Sequence, residues 1–247
     1  MHLNRTCSDL AIRFLGVGNA DSDDFHNSSC VLEYSEKPVL MIDCGPDTLK
    51  QFRRYYDVKE PPAAFITHTH FDHIGGLESW FYQRMTKIDE DQNPLPKLFV
   101  PVDVIPLLQR RIADYSNPLA EGGKNFWDAF QLIPVSESFW LNDMLLNIFP
   151  VRHHDCRFAF GLSLSGRFLY TGDTKPIPEV LIRYASSGEI IFHDCCLQNN
   201  PSHTYLNEIT REYTQNQWQR MIFYHYGSEA EGTLIEKAGF NIAEEGK

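Results

Sequence analysis

The 247-residue chain holds no apolar run near the roughly 20 residues that span a bilayer, so the sequence predicts a protein with no membrane segment. Its first residues lack the basic-then-apolar pattern of a secretory signal. Its six cysteines, Cys7, Cys30, Cys44, Cys156, Cys195 and Cys196, are irregularly spaced. That spacing excludes a disulfide framework and predicts a reducing, cytoplasmic compartment, with the thiols read as small buried hydrophobes. Positive charge is scarce: 22 Lys and Arg against 33 Asp and Glu leave a formal net charge of −11. A broad basic surface for a phosphate backbone is thereby excluded and a large nucleic-acid substrate disfavoured. The pairs Arg53-Arg54 and Arg110-Arg111 read as solvated helix faces. Repeats, low-complexity tracts and Gly/Ser linkers are all missing, which predicts one domain over residues 1–247.

What is present alternates between strand-like and helix-like stretches. LAIRFLGVGNA reads as a strand, SCVLEYSEKPVLMIDCG as a hairpin turning at SEKP, and PDTLKQFRRYY as a short helix. PAAFITHTH reads as a buried strand that empties into a loop, and GGLESWFYQRM opens a second helix. The stretch 86–131, rich in proline, reads as a helical and looped insertion that covers or shapes a site. Strands follow at FQLIPV, LLNIFPVRHH, FAFGLSLSGRFLYTGD, EIIFHDC and RMIFYHYG, with helices near EVLIRYASSG and TYLNEITREY. Asp43, His68, His153, Asp173, His193 and His225 all stand where such strands stop, the pattern expected when several strands deliver side chains to one edge.

The densest chemistry is His68-Thr69-His70-Phe71-Asp72-His73. A lone histidine is ordinarily a satisfied core or surface residue, but four ligand-type side chains in six positions call for a metal. His68 and His70 can face one ion and Asp72 with His73 a second, while Asp173 is the candidate for the carboxylate that two neighbouring cations require between them. Structural zinc sites favour cysteine and close all four positions, which does not suit this set.

This hexapeptide resembles the HxHxDH signature of the metallo-β-lactamase superfamily. MIDCG upstream, and PVRHH, LYTGD and FYHYG downstream, follow in that family's order over nearly the whole chain. The resemblance implies an α/β fold, a four-layer αββα sandwich, with two divalent metal ions at one edge of its sheets. Zinc is the expected metal, with manganese and iron(II) as alternatives. It implies His68, His70 and one histidine of the pair His153-His154 around the first ion, Asp72, His73 and His225 around the second, and Asp173 between them. Alternation along LLNIFPVRHH favours His153 over His154. Asp43 resembles the family's buried aspartate that supports the ligand loop. An aspartate at 173 departs from the best-known lactamases, which carry cysteine there.

The resemblance further implies a hydrolase in which a water between the metals attacks an electrophilic phosphorus or carbonyl. His193-Asp194 with His203-Thr204 is similar to the histidine-acid and second-histidine segments of phosphodiesterase-like members such as tRNase Z. The expected catalytic set is therefore Asp72, His203 and His193. Against it stand a His203 that merely precedes a helix capped at Thr204, and a His193 that only orients its neighbours. The leading expectation is a phosphodiesterase for a small or cyclic nucleotide-like diester. A tRNA 3′-processing endonuclease, a thioester or lactone hydrolase, and a non-catalytic scaffold are the competing readings. A homodimer is implied by resemblance alone.

Overall fold

The computed structural model describes residues 9–85, 94–113, 125–154 and 158–247. The chain runs β1 (Leu10–Gly16), β2 (Ser29–Tyr34), β3 (Lys37–Ile42), α1 (Thr48–Tyr55), β4 (Ala63–Phe65), α2 (Phe71–Ile74), α3 (Gly76–Met85), β5 (Lys97–Pro101), α4 (Ile105–Arg111) and β6 (Gln131–Val135). The second half continues with β7 (Ser138–Leu141), β8 (Met144–Pro150), β9 (Phe160–Leu164), β10 (Phe168–Tyr170), α5 (Pro178–Tyr184) and β11 (Ile190–Asp194). It closes with α6 (Leu206–Glu212), α7 (Gln215–Trp218), β12 (Met221–Tyr224), α8 (Glu229–Lys237) and β13 (Asn241–Ile242).

Two sheets form, one in the order β1-β2-β3-β4-β5-β6 and one in the order β13-β12-β11-β10-β9-β8-β7. In each, a few antiparallel strands lead into a parallel run, β3 to β6 and β10 to β13. Parallel neighbours require crossovers, and helices supply them on the outer faces, giving the expected αββα sandwich. The sheets meet through aromatic side chains: Phe14 of β1 lies 5.4 Å from Phe192 of β11 and 5.7 Å from Tyr224 of β12, and Phe99 of β5 stacks on Phe139 of β7 at 4.1 Å. Among the described residues, no helix is long and apolar enough to cross a membrane.

Two expectations change. Residues 86–93 and 114–124 of the expected insertion lie outside the described residues, as do Cys7 and Cys156. Within that stretch, however, Lys97–Pro101 is not loop but β5, a central strand paired in parallel to both β4 and β6. Leu98, Phe99 and Val100 are buried on both faces, so the segment shows no alternation. Pro94, Pro96 and Pro101, read as loop signals, mark its ends instead. Beyond RMIFYHYG, the last strand read from the sequence, α8 and β13 extend the second sheet by one more parallel strand.

Candidate metal centre

Every expected site residue except His193 converges where the parallel strands end. Asp43 follows β3, His68 and His70 follow β4, Asp173 follows β10, and His225 follows β12. The loop carrying the hexapeptide is clamped onto the β3 end: Cys44 N–H donates to the His73 carbonyl at 2.7 Å and Gly76 N–H to the Cys44 carbonyl at 2.8 Å. The approach is so close that a Cβ on Gly76 would fall 2.2 Å from the Gly45 carbonyl oxygen, and one on Gly45 would fall 2.2 Å from that of Asp72. This is why glycines bracket the motif.

Asp43 is fully buried with φ 62°, a strained conformation for a residue with a Cβ. That backbone turn sends its carboxylate under the ligand loop. It accepts from Thr67 N–H at 2.8 Å, Thr67 Oγ1 at 2.8 Å and His73 Nδ1 at 2.8 Å. The His73 tautomer is thereby set, and Nε2 is turned toward Asp72 Oδ2 at 3.2 Å and Asp173 Oδ2 at 3.3 Å. His153 is held in the same manner, its Nδ1 donating to the Ser202 carbonyl at 3.0 Å. Arg111 Nη1 ties α4 to the loop by donating to the Thr69 carbonyl at 3.0 Å. His225, also at positive φ (69°), is anchored just past the end of β1 by its N–H, which donates to the Val17 carbonyl at 2.7 Å.

Asp173 is the hub. Its Oδ2 lies 3.6 Å from His68 Nε2, 3.3 Å from His73 Nε2, 3.8 Å from His153 Nε2 and 3.4 Å from His225 Nε2. Two groups with metal-binding potential share it: His68, His70, His153 and Asp173, and Asp72, His73, Asp173 and His225. A third joins Asp173 to Asp194, His203 and His225.

The donor set fits divalent cations, and the orphaned atoms are the test. His68 Nε2, His73 Nε2, His225 Nε2 and both carboxylate oxygens of Asp173 are buried without any hydrogen-bond partner. Each such atom costs about 1–3 kcal/mol if left unsatisfied, so five in one place are not a stable core. Ligands about 2.1 Å from a tetrahedral ion stand about 3.4 Å apart, the separation seen around Asp173. Protonation compensates where cations would: burial disfavours charge on His73 and His225, but Asp173 outweighs it and raises both above the usual histidine value. Burial likewise opposes charge on Asp173, yet His225 and His73 hold its carboxyl well below the usual range. His68 goes the other way, lowered by burial and by the charge on His73. Metal ions and protons thus compete for the same nitrogens.

His153 and His154 are separated by the fold. His153 is buried and joins the cluster, whereas His154 is exposed and pairs its Nδ1 with Ser202 Oγ at 3.0 Å. Burial alternates from Phe149 to His154, with Phe149, Val151 and His153 inside and Pro150, Arg152 and His154 outside. The phase is opposite earlier in β8, where Leu145 is 38% exposed, and it shifts at Ile148 and Phe149, both buried. The chain leaves β8 at Pro150, and the Ser202 carbonyl orients the His153 ring.

His193, expected in the catalytic set, lies outside the metal-capable groups found among the described residues. Consecutive strand residues point to opposite faces, so Asp194 points to the site and His193 away from it. Both His193 nitrogens are engaged elsewhere, Nδ1 with the Asp194 carbonyl at 2.7 Å and Nε2 with Tyr213 Oη at 2.7 Å. Asp194, which the sequence marked only as a neighbour, joins the cluster: its Oδ2 accepts from Thr174 N–H at 2.8 Å and from His203 Nδ1 at 2.9 Å. His203 stacks on His225 at 4.8 Å. Burial alone would lower its pKa, but the Asp194 carboxylate prevails and lifts it to about 9. Nor does His203 precede a cap at Thr204, because α6 begins at Leu206 and Thr204 Oγ1 donates instead to the Thr174 carbonyl at 2.7 Å. Ser202, which orients His153 through its carbonyl, carried no signal in the sequence.

Asp43→Ala should leave Thr67 and His73 without their shared acceptor. Metal affinity is then expected to fall roughly 10–100-fold, read as metal retained against a graded chelator. Unchanged retention would remove Asp43 from the orienting role.

The family model described as Anti-Pycsar protein Apyc1 matches residues 10–247, and the chain belongs to that family. Anti-Pycsar protein Apyc1 of Paenibacillus harenae is 31% identical over 81% of this chain and 83% of its own. Its counterpart in Bacillus phage BSP38 is 28% identical over 96% of each chain. The crystal structure of the metallo-beta-lactamase fold protein YhfI from Bacillus subtilis has a TM-score of 0.74 at 14% identity, covering 97% of this chain and 98% of that one. The fold is therefore that of the metallo-β-lactamases.

Proposed function

We propose that this protein is a metal-dependent phosphodiesterase that hydrolyses a small cyclic nucleotide-like diester. The observation that carries the reading is the Asp194–His203 pair set against the double His/Asp cluster, because a poor alkoxide leaving group needs a proton that a thioester or an activated lactone does not. Family membership supports the same reading. The net charge of −11 keeps a large nucleic acid disfavoured.

His68, His70, His153 and Asp173 would hold one cation, and Asp72, His73, His225 and Asp173 the other. Zinc is the proposed ion, since imidazole and carboxylate donors suit it. When bound, the cations supply Lewis acidity, making water a nucleophile near neutral pH and stabilising charge on the phosphoryl oxygens. The chain's own residues do the rest. Asp43 and Thr67 hold the ligand loop, and the Ser202 carbonyl fixes the His153 tautomer. Asp194 keeps His203 protonated at Nδ1 and favours the charged ring, so the Nε2 proton can pass to the leaving alkoxide as its P–O bond breaks.

The test is turnover of a 3′,5′-cyclic nucleotide, bis(p-nitrophenyl) phosphate, a thioester and a lactone by protein whose metal has been counted. Diester turnover at two metals per chain is expected. Turnover of the carbonyl substrates alone would transfer the reading to carbonyl hydrolysis.

A further inference from the structure

Phe71 stands between His70 and Asp72, yet 67% of it is exposed while the other three residues of α2, Asp72, His73 and Ile74, are buried. Scattered apolar side chains on a surface are ordinary. The other strongly exposed ones among the described residues, such as Trp140, Ile182 and Leu234, lie outside the ligand hexapeptide. Phe71 lies inside it.

The ring is also seated. A Cβ on Gly75 would come within 2.9 Å of its Cζ and 3.0 Å of its Cε1. The ring therefore rests against the backbone of its own helical turn, in space that only glycine leaves. The rest of it is open to solvent, on the loop that carries four of the candidate ligands.

The cluster itself consists of imidazoles and carboxylates, which suit cations and a phosphodiester and have nothing with which to grip a base. A nucleobase sits one sugar ring away from its phosphate. Phe71 is flanked in sequence by two members of the cluster, His70 and Asp72, so its exposed ring is carried by the ligand loop itself. We infer that Phe71 is the platform on which the substrate's nucleobase stacks, an assignment that rests on the phosphodiesterase reading above. Stacking tolerates any base because every base has a π-face. It also grows with overlap, so a purine gains more from the ring than a pyrimidine.

The experiment compares wild type with Phe71→Ala, Phe71→Leu and Phe71→Trp. Substrates are adenosine and uridine 3′,5′-cyclic phosphates beside glycerol 1,2-cyclic phosphate, which has no base. Hydrolysis is followed by phosphorus NMR, with metal content and solution mass measured on each protein. Phe71→Ala is expected to raise KM for the nucleotides relative to the base-free diester by roughly 5–100-fold, more for adenosine than for uridine. The metal content should equal that of wild type. Phe71→Trp should restore the nucleotide KM, and Phe71→Leu should not.

An unchanged KM ratio, or equal restoration by leucine and tryptophan, would overturn the assignment. A change of solution mass without a change of KM ratio would do the same, because it places the ring in a subunit contact. Wild-type turnover of the base-free diester alone would overturn the platform while leaving the diesterase reading intact. No turnover of any diester would remove that reading and the platform together.

Discussion

Asp173→Ala is expected to lose at least one of two metal ions per chain and to lower turnover by roughly 10²–10⁴-fold. The magnitude follows from the cost of breaking a buried charge cluster, about 3–5 kcal/mol, at 1.36 kcal/mol per tenfold. Asp173 is 2% exposed, belongs to every metal-capable group among the described residues, and faces His68, His73, His153 and His225 with a single oxygen. Without it, Asp72 still faces His73 and His225, but His68 and His153 lose the carboxylate they face, and two cations would repel with no shared anion between them. Asp173→Asn keeps the volume and removes the charge, so it separates loss of the ligand from collapse of the site. The readouts are metal per chain by mass spectrometry and turnover of a cyclic diester. Two ions retained against chelator in the asparagine variant would disprove the bridging role.

His203→Ala should behave differently. The metal content is expected to match wild type, while kcat on diesters with alkoxide leaving groups falls roughly 10²–10⁴-fold. Diesters that leave as nitrophenolate need no proton and should fall far less. The pair geometry supplies the reason: Asp194 Oδ2 lies 2.9 Å from His203 Nδ1 and holds the ring charged, its pKa raised to about 9 against the effect of burial. His203 also belongs to a metal-capable group with Asp194, His225 and Asp173. The metal count therefore decides between two roles, since a ligand would take an ion with it when removed and an acid would not. Equal losses on both classes of leaving group would end the acid assignment.

Much of the site is legible in one dimension because its chemistry is local. His68, His70, Asp72 and His73 lie in a single hexapeptide, and the glycines after it are demanded by the backbone approach of Gly76 to Gly45. The helical period marks α1, whose Thr48, Leu49, Gln51 and Phe52 are buried, while β2 and β3 are legible as two apolar runs on either side of a polar turn. β5 is as fully buried as β2, but prolines at 94, 96 and 101 bracket its short apolar run, and they read as loop.

The sequence by itself determined the ligand types, their order along the chain and the class of fold, because these depend on residue identity and short-range spacing. Only the tertiary structure decided which side chains meet. His153 was separated from His154 by the Ser202 carbonyl, 49 residues further on, and His193 was separated from Asp194 by the two faces of β11. Asp43 reaches across 30 residues to set the tautomer of His73. Such choices turn on distances of about 3 Å between groups far apart in sequence, and it is the packing of the two sheets face to face that sets those distances.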